Sequence, residues 1–254
     1  MTDLVHDFRA LHHNRAPGDP LVLPGPWDAA SARAFEEAGF PALATPSAGV
    51  AASLGYADGA VPAAEMFAAV ARIARAVSVP VSADLEGGYG LPPAELVARA
   101  LESGVVGMNL EDTAHGSAPG TLKDPEAHAD WLAEVRAEAG DRLFLNARVD
   151  SLLPSLRGTA DRSAPELVAD ALDRARRYAA AGADCVYPIG ARPADLPPLR
   201  AGLPPTLPLN ALARPDGTSV TTLAQAGATR LTFGPALLHT TLTTLRNLAP
   251  HLRG

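Results

Sequence analysis

Val81-Ser82-Ala83-Asp84-Leu85-Glu86-Gly87-Gly88-Tyr89-Gly90 and, further along, Met108-Asn109-Leu110-Glu111-Asp112 share one design: an apolar run that ends abruptly in carboxylates. An apolar run of this length reads as a strand buried on both faces, and the acids after it fall at its carboxyl end. Carboxylates gathered in one place repel each other unless a cation neutralises them, and oxygen-only donors favour magnesium or manganese over zinc. The two stretches therefore predict a divalent-metal site at the mouth of a parallel-strand fold.

The chain alternates on both sides of these strands. Strands are predicted over residues 21–27, 41–45, 79–83, 105–110, 143–147, 184–188, 207–209 and 230–233. Helices are predicted over 29–38, 63–77, 92–103, 124–138, 165–181, 194–199, 220–226 and 235–248, with Met66, Val70, Ile73 and Val77 at helical spacing in the second of them. The Gly/Ala/Ser-rich segment 47–59 reads as a loop. Residues 3–14 read as a short helix with Leu4, Phe8 and Leu11 on one face, a surface cap ahead of the main fold. Eight strand–helix pairs with no composition break predict one domain over residues 1–254, an α/β (β/α)8 TIM barrel with an N-terminal helix, its catalytic groups at the strand carboxyl ends. An open doubly wound sheet would show a G-x-G-x-x-G turn after the first strand, and Pro24-Gly25-Pro26-Trp27-Asp28 is not one.

With 254 residues and 47% apolar content the chain can bury a large core. A formal charge of −7 without a Lys/Arg cluster excludes a nucleic-acid binder. The lone Cys185 cannot form an internal disulfide, and the polar stretch Met1 to Arg15 is no secretion signal. No apolar run approaches the roughly 20 residues of a membrane helix. The expectation is a cytoplasmic protein with no nucleic-acid or membrane partner.

The residues just after each predicted strand map a site: Trp27-Asp28, Ser47-Ala48-Gly49, Asp84/Glu86, Glu111/Asp112, Arg148/Asp150, Gly190, Asn210 and Gly234. Carboxylates around a metal with an arginine opposite suit a small anionic substrate that chelates the ion, such as a 2-oxo acid. The metal then acts as a Lewis acid and Arg148 balances the charge of an enolate. Plainer readings stand beside this one. Asp28 and Asp124 read as helix N-caps. Arg148 could simply pair with Asp150 or Asp112, and Ser47-Ala48-Gly49 is either an ordinary turn or a nest of amides for an anion. His12, His13, His128 and His251 read as solvated residues on polar helix faces. His115, in the run 113–122, is either a surface histidine or a proton donor on a lid. Tyr89 could point its hydroxyl into the site, and Cys185 reads as a buried structural thiol.

At these residues the chain resembles the isocitrate lyase/phosphoenolpyruvate mutase superfamily. The likeness runs from about residue 21 to 233. It rests on Trp27-Asp28-Ala29, Ser47-Ala48-Gly49-Val50-Ala51 with Leu54-Gly55 and Asp58, Asp84-x-Glu86-Gly-Gly-Tyr-Gly90, Asn109-Leu-Glu-Asp112 and Asn146-Ala-Arg148. The resemblance implies a (β/α)8 barrel, a homotetramer or homodimer whose last helix is often exchanged between subunits, and a magnesium ion, with manganese possible, held directly or through waters. By motif it assigns Asp84, Glu86 and Glu111 to the metal, the Ser47-Ala48 amides to the substrate's carboxylate or phosphoryl group, Asp58 to a gating loop, and Arg148 to the enolate.

Isocitrate and methylisocitrate lyases carry a Lys-Lys-Cys-Gly-His loop after the fourth strand, where this chain reads Thr113-Ala114-His115-Gly116-Ser117-Ala118. Phosphonate-forming mutases and related hydrolases place a lysine-bearing loop there, and this chain has no lysine before Lys123. What remains resembles the less specialised branch of oxaloacetate decarboxylases and lyases of substituted malates. The expectation is a magnesium-dependent carbon–carbon lyase or decarboxylase acting on a small 2-oxo or 2-hydroxy dicarboxylate. Arg148, Asp58, Tyr89 and His115 are the candidate catalytic residues, and Trp27, Ser47, Ala48, Gly49, Arg148 and Asn210 the candidate substrate contacts. Phosphorus–carbon chemistry and a non-catalytic 2-oxo acid binding protein are the alternatives.

Overall fold

A computed structural model of the chain describes residues 4–13, 15, 18–118, 120–154, 158–159, 161–215 and 217–253. Among them lie eight strands: β1 (Leu21–Leu23), β2 (Leu43–Ala44), β3 (Val81–Asp84), β4 (Gly107–Glu111), β5 (Phe144–Val149), β6 (Cys185–Pro188), β7 (Asn210–Leu212) and β8 (Arg230–Thr232). Every pairing between them is parallel, so all eight carboxyl ends face one rim. The strands form two arcs, β2-β3-β4-β5-β6 and β1-β8-β7.

A continuous eight-stranded ladder is not formed. At one seam the Ala44 amide donates to the Pro24 carbonyl at 3.1 Å, and at the other Val186 makes a single parallel bridge to Leu209. The reason lies in the sequence: Pro24, Pro26, Pro41, Pro46 and Pro208 flank the seam strands, and proline has no amide to donate to a ladder. The strands there are correspondingly only two to four residues long.

The core helix Ala63–Ala74 buries Met66, Val70 and Ile73, as their spacing predicts. Residues 47–59 are not all loop: Ser47–Leu54 is a helix that opens directly at the rim after β2 and ends on Gly55, whose φ of 86° is a left-handed C-cap. Its Gly49 is a packing glycine, because a Cβ there would lie 2.8 Å from the Pro46 ring. Small residues that suggest a loop by composition here allow a helix to start hard against the strand end.

The N-terminal helix Leu4–His13 is no surface cap. Phe8 is fully buried with Leu21, Leu23, Val106, Phe144 and Cys185, residues at or near the amino ends of strands, so the helix closes the end opposite the rim. His12, expected in solvent, is buried too and stacks on Phe144 with ring centroids 4.1 Å apart. Burial, helped by the nearby Arg230, pushes its pKa well below the usual histidine value. Arg230 itself is fully buried, and its Nε and one Nη have no hydrogen-bond partner among the described residues.

The last helix, Ala236–Leu248, buries only Leu238, while Leu245 and Leu248 are about half exposed. No helix among the described residues is long and apolar enough to cross a membrane.

Candidate active site

Strand register brings the acids and the arginine together. Asp84 ends β3, Glu111 ends β4 and is paired with Arg148 on β5, and Arg148 is in turn paired with Tyr187 on β6. Arg148 is the hub. One Nη lies 2.6 Å from Glu111 Oε2 and 3.7 Å from Asp84 Oδ2, and Nε and the other Nη donate to the two oxygens of Asp150 at 2.7 and 3.0 Å. Arg148 thus pairs with Asp150 and at the same time faces the acid cluster. Three carboxylates raise its pKa well above the ordinary value against the opposing effect of burial, so the guanidinium stays charged.

Asp84 is held from the opposite side. The Ser47 hydroxyl donates to Oδ2 at 2.9 Å, and the Ser47 amide approaches the same oxygen at 3.4 Å. Ser47, Ala48 and Gly49 are the first three residues of the rim helix, so their amides lack intrahelical acceptors and carry the positive end of the helix dipole. Trp27 lies beside them: a Cβ on Gly49 would meet its Cβ at 3.7 Å.

Glu86 sits in the turn after β3 with φ of 51°, and Tyr89 in the same turn has φ of 57°, a left-handed conformation that non-glycine residues seldom adopt. Burial first, then the neighbouring carboxylates of Asp84 and Glu111, pushes the Glu86 pKa up to about 7. One of its oxygens is buried without a partner, as is the Tyr89 hydroxyl. Tyr89 therefore points into the cluster, and burial together with Glu86 raises its pKa far above the usual phenol value. Asp58 is exposed at the rim, near enough for its charge to contribute to the Glu86 shift.

His115 Nε2 lies 2.7 Å from Glu111 Oε1. That contact raises the histidine's pKa, and burial raises that of Glu111 although Arg148 and His115 oppose it. The two groups stand within hydrogen-bond reach of each other at the rim. Asp112 faces the other way: it accepts from Tyr178, Arg174 and the Asp150 amide at 2.8, 3.0 and 2.9 Å, so it anchors the strand ends to the helix Ala164–Ala180.

Asn210 is the first residue of β7, not the residue after it. It is buried in the strand with its Oδ1 3.4 Å from the Thr232 hydroxyl and its amide nitrogen unpartnered. His128, expected in solvent, is buried between Trp131 and Tyr178, and burial lowers its pKa to about 3. Asp28 and Asp124 are N-caps, as predicted. Cys185 is a buried thiol pushed up to about 12 by burial, in keeping with a structural role.

No three His, Cys, Asp or Glu side chains among the described residues converge closely enough to cage an ion directly. The donor set still suits a hard divalent cation. Asp84 and Glu86 offer oxygens at one rim position and Glu86 has an unpartnered one, whereas Glu111 is engaged by Arg148 and His115 and fits contact through water.

A cavity of about 860 Å³ adjoins the cluster, lined by Glu86, Tyr89 and His115 together with Leu91, Lys123 and Trp131. Sequence reading missed this feature. Its lining comes from residues scattered between Gly59 and Trp131, with no shared motif to flag them.

Compared with known families, residues 8–253 match the model described as phosphoenolpyruvate phosphomutase. The chain belongs to the phosphoenolpyruvate phosphomutase family. Within this family, it is 33% identical over 228 residues to an uncharacterized protein of Mycobacterium tuberculosis, covering 89% of this chain and 81% of that one. Among solved structures, a putative phosphonomutase from Burkholderia cenocepacia superposes with a TM-score of 0.88 at 38% identity, covering 99% of this chain and all of that one. A 2,3-dimethylmalate lyase, itself described as a member of the PEP mutase/isocitrate lyase superfamily, superposes with a TM-score of 0.82 at 28% identity, covering 100% of this chain and 88% of that one.

Proposed function

We propose that the chain is a magnesium-dependent carbon–carbon lyase or decarboxylase acting on a small 2-oxo or 2-hydroxy dicarboxylate. The observation that carries this reading is the placement of Arg148. A buried, permanently charged guanidinium faces Asp84 and Glu111 from one side of the rim, with the Ser47 helix amides on the other. A magnesium ion held by Asp84 and Glu86, and through water by Glu111, would polarise the substrate's keto oxygen as a Lewis acid.

The chain's own residues supply the rest. The amides of Ser47, Ala48 and Gly49 receive the substrate carboxylate beside Trp27. Cleavage of the carbon–carbon bond leaves its electron pair on the product as an enolate, and Arg148 balances that negative charge. His115 Nε2, 2.7 Å from Glu111 Oε1, can return a proton to the enolate carbon. Tyr89 is buried against Glu86 and is the second candidate donor, with Asp58 closing over the rim. Membership of a family that contains a 2,3-dimethylmalate lyase supports this reading.

The same reading takes the two arcs as one closed (β/α)8 barrel and one domain in the cytoplasm. The apolar face of Ala236–Leu248, with Leu245 and Leu248 uncovered, then packs on a second copy in a homodimer or homotetramer. Asp84→Ala tests the site: magnesium-dependent turnover should vanish while the melting temperature stays close to wild type. Unchanged turnover would remove Asp84 from the metal.

A further inference from the structure

We infer that Arg230 holds a small monovalent anion inside the fold, at the end opposite the rim. Arg230 opens β8 and is fully buried, with Leu21 of β1 and Asn210 of β7 as its register partners. The helix Leu4–His13 covers it. Its Phe8 ring centre lies 5.9 Å from the guanidinium carbon, and His12 Nε2 is 3.5 Å from Nη1.

None of these neighbours supplies a negative charge. His12 Nδ1 lies 2.7 Å from the Phe8 carbonyl, which can only accept, so Nδ1 bears the proton and Nε2 is a neutral acceptor for Nη1. Asn210 turns its Oδ1 to the Thr232 hydroxyl, and its amide nitrogen has no partner among the described residues. The buried thiol of Cys185 points its proton at the Val186 carbonyl.

What is left is the Nε/Nη2 edge of the guanidinium. Elsewhere the chain uses this same edge as a carboxylate clamp: Nε and Nη2 of Arg148 grip both oxygens of Asp150, and those of Arg192 grip both oxygens of Asp195. Arg174, also buried, pairs with Asp112 and Asp170. Arg9 and Arg136 share Asp184, just ahead of β6. Arg230 forms no ion pair with any described residue, and its Nε and one Nη have no hydrogen-bond partner among them.

A guanidinium keeps its proton at any ordinary pH, and a buried charge without a counter-charge is strongly unfavourable. Every unpartnered atom here is a donor, so the matching ligand is an acceptor with negative charge. Apolar neighbours such as Phe8 and Leu21 favour a chloride-like ion over sulfate or phosphate, whose double charge is costlier to strip of water.

Thermal unfolding at fixed ionic strength, with chloride replacing gluconate, tests this. Wild type should gain about 3 °C or more per tenfold rise in chloride as the site fills. Arg230→Met should not respond: it should be the more stable protein in gluconate and lose that lead as chloride rises. Wild-type crystals soaked in bromide should show an anomalous peak within hydrogen-bond reach of Nε and Nη2, a readout that does not depend on the variant folding. The inference is overturned if the melting temperature ignores chloride, if the gain persists in Arg230→Met, or if only ordered water meets the guanidinium edge. A bromide peak without the thermal response means an adventitious ion only, and overturns it as well.

Discussion

Arg148 Nη and Glu111 Oε2 meet at 2.6 Å across adjacent strands, while the rest of the guanidinium is gripped by Asp150. This double hold fixes the cation at the rim without consuming its charge. Arg148→Lys keeps a positive charge but cannot bridge both acids. Turnover should fall by about 10²–10³-fold, the usual cost of losing a donor to a developing anion. Steady-state kinetics check this, and a change confined to KM would contradict it.

Glu86 gives the protein an unusual pH dependence. Its folded pKa is about 7 against an ordinary 4.5, so between those values the folded state holds the extra proton. Stability is therefore highest below this window and declines as pH rises through it, by about 3 kcal/mol at most. His115, whose pKa is also raised, acts in the same direction. Melting curves in EDTA from about pH 5 to about pH 8 should show the decline, and Glu86→Gln should flatten it. Magnesium, which binds the ionised carboxylate, should offset the loss at the high end.

Arg230 tests a different balance. Its guanidinium is buried without a carboxylate, and burial lowers its pKa. Arg230→Met fills similar volume without the desolvation cost, so stability should rise by about 1–4 kcal/mol. Urea unfolding measures it; a lower midpoint would show that the contact with His12 at 3.5 Å matters more than the buried charge.

The strands that carry the acids were legible because their apolar runs stop at charged residues, and that stop marks the rim. Asp84, Glu86, Glu111 and Arg148 do gather there. The burial of Phe8, His12 and His128 was not legible, because it depends on which distant strand ends a short helix covers. Asn210 was placed after its strand, predicted over 207–209, whereas β7 begins at Asn210, two residues past Pro208.

The most direct measurement of the central claim is a turnover assay of the purified protein with oxaloacetate, 2,3-dimethylmalate, methylisocitrate and phosphonopyruvate, run with magnesium and again with EDTA. The account predicts carbon–carbon cleavage of at least one dicarboxylate with magnesium and none with EDTA. Phosphate release from phosphonopyruvate, or binding of 2-oxo acids without any turnover, would contradict it.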